Sequence, residues 1–166
     1  MHTVHIIFAL QYIELMQKLR RYVLKGHSGS GYNIKIASGA NHTFIVYKNS
    51  ILCRGDNKHG QLGLGDFKYR DKFTKVPLIK GDHVKFIACS DENTFIVMND
   101  NSVWGCGSYM TQLLNKATHL PKKGLPNFTE QEFPQGNVTL LRCRDNSVGI
   151  VLRKNNHVQD TLIIKG

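Results

Sequence analysis

The chain has no Cys-x-x-Cys pair. Its four cysteines, Cys53, Cys89, Cys106 and Cys143, stand far apart in 166 residues, which removes the usual spacing of zinc and dithiol redox sites and leaves reduced intracellular thiols as the simplest reading. Long apolar runs are missing too. The segment Ile6-Ile7-Phe8-Ala9-Leu10 is too short to span a bilayer, and no Lys or Arg precedes it as in a signal peptide, so neither a membrane span nor secretion is expected. Acidic residues are scarce: 12 Asp and Glu face 22 Lys and Arg, a formal charge of +10. That balance favours acidic partners (nucleic acid, anionic lipid or an acidic protein face) without choosing among them. Catalytic signatures are also lacking, since no nucleophile with a base, no carboxylate pair and no metal-ligand cluster emerges, and the eight histidines are scattered. The expectation is a protein that is not an enzyme and needs no cofactor or metal.

What is present begins with a helical pattern. Ile6, Phe8, Leu10, Ile13, Met16, Leu19 and Val23 recur mostly at three- and four-residue steps while Gln17, Lys18, Arg20 and Arg21 fall elsewhere, which predicts an amphipathic α-helix within residues 1–25. Residues 26–33 form a Gly/Ser linker. Gly26 and Gly31 have the outer spacing of a phosphate loop, but Tyr32 stands where that loop needs its lysine.

From residue 34 to 166 the pattern changes to short runs of Ile, Val, Phe and Thr broken by Gly, Asn and Asp, as in an all-β protein. The sequence also repeats. Ile36-Ala37-Ser38-Gly39-Ala40-Asn41-His42-Thr43-Phe44-Ile45-Val46 matches Ile87-Ala88-Cys89-Ser90-Asp91-Glu92-Asn93-Thr94-Phe95-Ile96-Val97 at a spacing of 51 residues, and Asn49–Gly55 then matches Asn101–Gly107. A fainter third copy, Leu141–Val151, follows at a spacing of 54. Repeats of this length with several short strands predict propeller blades, each of which needs neighbours to bury its faces.

Between the first two copies lies Gly55-Asp56-Asn57-Lys58-His59-Gly60-Gln61-Leu62-Gly63-Leu64-Gly65. With the flanking Ala37–Thr43 it resembles the signature of the regulator of chromosome condensation repeat family, specifically over residues 34–107 and more faintly beyond. The resemblance implies a partial β-propeller of two to three repeats. It assigns a structural role to Gly39, His42, Gly55, Asn57, Gly60, Gln61, Leu62, Gly63, Gly65 and Gly107, with Leu62 and Leu64 filling the gap between blades. Complete members of the family include an exchange factor for the small GTPase Ran that docks on nucleosomes, and many that are interaction platforms.

A blade motif builds the scaffold while function sits in loops. The residues that the scaffold does not need, Lys58, His59, Lys68, Tyr69, Arg70, Lys72 and Lys75, form the candidate binding surface, with Phe67 and Tyr69 interleaved among the cations. Lys116, Lys122 and Lys123 make a second basic stretch. The function expected is a non-enzymatic protein–protein interaction module, cytoplasmic or nuclear. The alternatives are a nucleic-acid or chromatin-binding protein and a nucleotide exchange factor. Because two to three blades leave strand edges open, a homo-oligomer that completes the propeller is a further expectation.

Overall fold

A computed structural model divides the chain into two units, residues 1–32 and 33–166. It describes residues 34–77, 79–108, 124–131, 136–144, 147–153 and 160–165. The expected amino-terminal helix, the linker and the second basic stretch lie outside the described residues.

The described residues form three antiparallel sheets. Blade 1 contains β1 (Lys35–Ser38), β2 (His42–Tyr47), β3 (Ser50–Gly55) and β4 (Arg70–Lys75), in that order. Blade 2 repeats the arrangement with β5 (Val84–Cys89), β6 (Asn93–Met98), β7 (Val103–Gly107) and β8 (Leu125–Gln131). Blade 3 has three strands, β9 (Asn137–Arg144), β10 (Ser147–Arg153) and β11 (Asp160–Lys165). A 3-10 turn, Gly81–His83, leads into β5.

Pattern and turn chemistry explain these strands. In β2, Phe44, Ile45 and Val46 are all buried, as a strand covered on both faces requires. The matching run Phe95-Ile96-Val97 in β6 is buried likewise. The β2–β3 and β6–β7 turns place Lys48 and Asn101 at φ 51 and 70, a left-handed conformation that tight hairpins demand. His42, Asn93 and Ser147 each open the second strand of a blade, so the three sequence copies occupy equivalent places.

The innermost strands run side by side, β1 against β5 and β5 against β9. Two apolar clusters join the sheets. The first unites Phe44, Val46, Ile51 and Cys53 of blade 1 with Val84, Ile96, Cys106 and Phe128 of blade 2, with Leu62 among them. The second unites Phe95, Val97 and Val103 of blade 2 with Val138, Leu141, Val148, Ile150 and Leu152 of blade 3. Burial of each such large side chain contributes about 1.5–3 kcal/mol, so these junctions, rather than any one sheet, hold the fan together. The four cysteines are free thiols. Cys53 and Cys106 lie in the first cluster, while Cys89 and Cys143 are half-buried against the first and second clusters respectively.

Candidate functional site

The segment from β3 to β4 holds both the repeat signature and the candidate binding residues, and they serve different ends. Asn57, fully buried, ties the loop to itself: its Nδ2 donates to the carbonyl of Asp66 at 2.8 Å, and its Oδ1 accepts from the backbone N–H of Leu62 at 2.9 Å. Gln61 Oε1 accepts from the N–H of His59 at 2.9 Å. The loop then crosses to the outer strand of blade 2, where Gly65 N–H donates to the Pro126 carbonyl at 2.8 Å and Leu64 bridges to Asn127. Leu62 enters the first cluster with no exposed surface.

The glycines show why this crossing and the strand ends around it tolerate so few residue types. Gly63 has φ +65, and a Cβ there would collide with the Phe128 ring. Gly55 has φ +113 and backs onto the carbonyl of Asn41; Gly107, with φ +115, repeats this against Glu92. Gly39 lies against the His42 ring, and Gly60 against the backbone of Leu125 and Pro126.

His42, 1% exposed, pins the first junction from inside. Its Nε2 lies 2.9 Å from the Thr94 hydroxyl, which in turn donates to the Gln61 carbonyl at 2.8 Å. Since that hydroxyl has one proton and gives it to Gln61, the imidazole must carry its own proton on Nε2. Nδ1 is buried with no hydrogen-bond partner among the described residues. Burial in these surroundings pushes the imidazole pKa down to about 4, so the ring is neutral at pH 7. The Cys106 thiol also points to the Gln61 carbonyl, at 3.3 Å.

Sequence reasoning named His42 and Gln61 but not Thr94, whose only signal was its match to Thr43. Blade 3 has Val148 at the same place, so the second junction has no such pin. It uses Lys85 instead, which donates to Asn101 Oδ1 at 2.8 Å and Asn137 Oδ1 at 2.6 Å, while Val138 N–H donates to Asn101 Oδ1 at 3.1 Å.

The seven binding candidates divide by their engagement. His59 Nε2 meets Glu92 Oε1 at 3.1 Å, an ion pair between blades when the ring is protonated. Arg70 is held by Asp66 at 2.6 Å and by the Lys68 carbonyl at 2.7 Å. The Arg70 hydrogen bond, helped by the Lys68 N–H, holds the Asp66 carboxyl below its usual range. Lys58 lies 3.5 Å from Asp56, with its side chain 60% exposed. Lys68, Lys72 and Lys75 are exposed, and Tyr69 is 58% exposed, which is unusual for an aromatic. The structure therefore brings Lys68, Tyr69, Lys72 and Lys75 onto the outer strand of blade 1 and its approach, at the sheet's open edge. No cluster of His, Cys, Asp or Glu suited to a metal occurs among the described residues.

Comparison with solved structures decides the architecture. The fold overlays human WBSCR16 with a TM-score of 0.63 at 20% identity, covering 76% of this chain and 32% of that one. It overlays yeast RCC1 (Prp20), solved bound to Kap60, with a TM-score of 0.58 at 22% identity, covering 71% and 29%. The blades share the propeller fold of these proteins and resemble their regulator of chromosome condensation repeats. Relatives by sequence agree: the X-linked retinitis pigmentosa GTPase regulator of Homo sapiens is 28% identical over 102 residues, 61% of this chain and 9% of that protein. The ultraviolet-B receptor UVR8 of Arabidopsis thaliana is 35% identical over 83 residues, 48% of this chain and 19% of that protein. No protein-family model matches the chain. It spans no more than a fifth of the length of these two relatives and about a third of the solved propellers.

Proposed function

We propose that residues 34–166 form a non-enzymatic interaction module that presents the β3–β4 segment of blade 1 to an acidic protein partner inside the cell, in cytoplasm or nucleus. One observation carries this reading. Within a single loop and strand, Asn57, Gly60, Gln61, Leu62 and Gly63 are buried where the loop crosses to blade 2, whereas Lys68, Tyr69, Lys72 and Lys75 are exposed and are not needed to hold the scaffold. An exposed aromatic among cations offers both apolar contact and charge to a carboxylate-rich surface. The solved yeast propeller Prp20 lends support, since one structure shows it bound to Kap60 and another accompanies a study of its binding to Gsp1p and histones.

The formal charge of +10 favours a second reading, binding to nucleic acid or chromatin. Both are tested by titrating the chain with labelled polyglutamate and with a labelled DNA duplex at increasing salt. The first reading expects polyglutamate binding that the triple change Lys68→Glu, Lys72→Glu, Lys75→Glu abolishes. Preferential DNA binding, with affinity falling steeply between low and physiological salt, would replace it with the second. Exchange-factor activity, the third alternative, is measured as release of labelled nucleotide from Ran, and none is expected.

A further inference from the structure

Blades 1 and 2 each turn toward the following blade a face built on the same pair. The register sets Ala37 beside Phe44 in blade 1 and Ala88 beside Phe95 in blade 2. The small residue on the inner strand leaves room, and the phenylalanine on the second strand fills the junction, buried to 0% and 2% exposure. At the same place in blade 3, Arg142 stands beside Gly149. Large and small have changed strands, the aromatic ring has gone, and a cation has arrived. The neighbouring rung, Phe86 beside Val97 in blade 2, becomes Leu140 beside Val151.

Alternation fixes where these residues point. Leu141, Val148, Ile150 and Leu152 belong to the cluster shared with blade 2, so Leu140, Arg142, Gly149 and Val151 occupy the opposite face. Leu140 is 38% exposed and Arg142 is exposed. Arg142 Nη1 lies 3.5 Å from the Leu141 carbonyl, at the limit of a hydrogen bond. Another blade with the apolar face of blades 2 and 3 would bury this guanidinium without a counter-charge, which is strongly unfavourable. A second copy joined through the same face would bring two such cations into one apolar interface.

We propose that this face of blade 3 is a docking surface for an extended acidic protein segment. A carboxylate pairs with the planar guanidinium of Arg142 in the two-bond geometry that lysine cannot reproduce. Adjacent apolar side chains cover Leu140, Gly149 and Val151. The surface is distinct from the basic edge of blade 1 and stands or falls without it.

The test uses the full chain and a fluorescein-labelled ten-residue peptide with a Leu-Phe core flanked by glutamates, read by fluorescence anisotropy. Arg142→Glu is expected to weaken binding at least tenfold and Arg142→Lys to give an intermediate loss. Leu140→Ser, which keeps the charge, is expected to weaken it severalfold. Each variant is also made in the triple Lys68, Lys72, Lys75 to Glu background, which lacks the acidic-ligand site proposed on blade 1, and the Arg142 and Leu140 effects are expected to persist there. The same peptide with lysine flanks should bind the Arg142→Glu chain better than the unaltered one. The proposal is overturned if the peptide does not bind, if its affinity ignores Arg142 and follows the triple change alone, or if light scattering finds a dimer that Arg142→Glu dissociates. That last result would make a second copy the occupant.

Discussion

The two blade junctions close similar gaps with different materials. At the first, the loop after β3 crosses to the next blade, inserts Leu62 and builds a buried polar chain from His42 through Thr94 to Gln61. At the second, Phe95 and Val97 meet the apolar face of β9 and β10, and the polar fastening moves to the half-buried Lys85 and Asn101 and the exposed Asn137. A buried network fixes geometry because each member is costly to leave unpaired. The outer fastening around Lys85 is cheaper to lose. The first junction is therefore specified by particular residues, and the second chiefly by apolar volume.

Removing the aromatic plugs should break both junctions. Phe44→Ala and Phe95→Ala are each expected to cost about 3–5 kcal/mol in urea unfolding, because each leaves a cavity that the strands cannot collapse around. A cost below about 1 kcal/mol at either would show that its junction does not carry the fold. Next come the twin glycines. Alanine at Gly55 or Gly107 meets a positive φ and a backbone carbonyl at both sites, so the two changes should destabilise the fold about equally in urea unfolding, by at least ~1–3 kcal/mol.

Thr94→Val sharpens the contrast, since it installs in blade 2 the kind of residue that blade 3 already has. It should cost about 1–3 kcal/mol by stranding the His42 N–H and leaving the Gln61 carbonyl only the weak Cys106 thiol donor. The reverse change, Val148→Thr, should give no gain, because it sets a hydroxyl into the apolar cluster of blades 2 and 3.

The pin is also sensitive to acid. The folded pKa of His42, about 4, lies below the usual 6.5, so the unfolded chain takes up the proton first. The stability linked to the neutral ring is present above pH 6.5 and drains away as pH falls from 6.5 toward 4. Thermal melts across that range should lose more stability in the unaltered chain than in His42→Asn, which carries the blade 2 residue. Parallel pH curves would assign the loss to other groups. The smallest effect belongs to the rim. Glu92→Gln removes the partially exposed His59 pair and should cost about 0–1 kcal/mol, shrinking with salt.

Much of this was legible in the chain itself. The 51-residue repeat placed β1–β3 over β5–β7, because strands buried on both faces need unbroken apolar runs and tight hairpins need turn residues. The third blade was read only over Leu141–Val151. Its outer strand β11 does have a signal, Thr161-Leu162-Ile163-Ile164-Lys165-Gly166 against Ser50-Ile51-Leu52-Cys53-Arg54-Gly55, but it is shared in residue class more than in identity. The His42–Thr94 contact was not legible, because a partner 52 positions away appears only once adjacent blades are stacked. The Arg142–Gly149 exchange was visible as letters, yet its meaning depends on knowing which face each strand residue takes.

The four free thiols turn the architecture into its own reporter. Burial pushes the Cys53 and Cys143 thiols up to about 12, and those of Cys89 and Cys106 are raised as well, so maleimide reagents find almost no thiolate while the blades stay together. Alkylation must wait for an opening. Cys53 and Cys106 clock the separation of blades 1 and 2, and Cys143 that of blades 2 and 3. Site-resolved labelling rates in native buffer therefore time each seam separately, without any engineered probe.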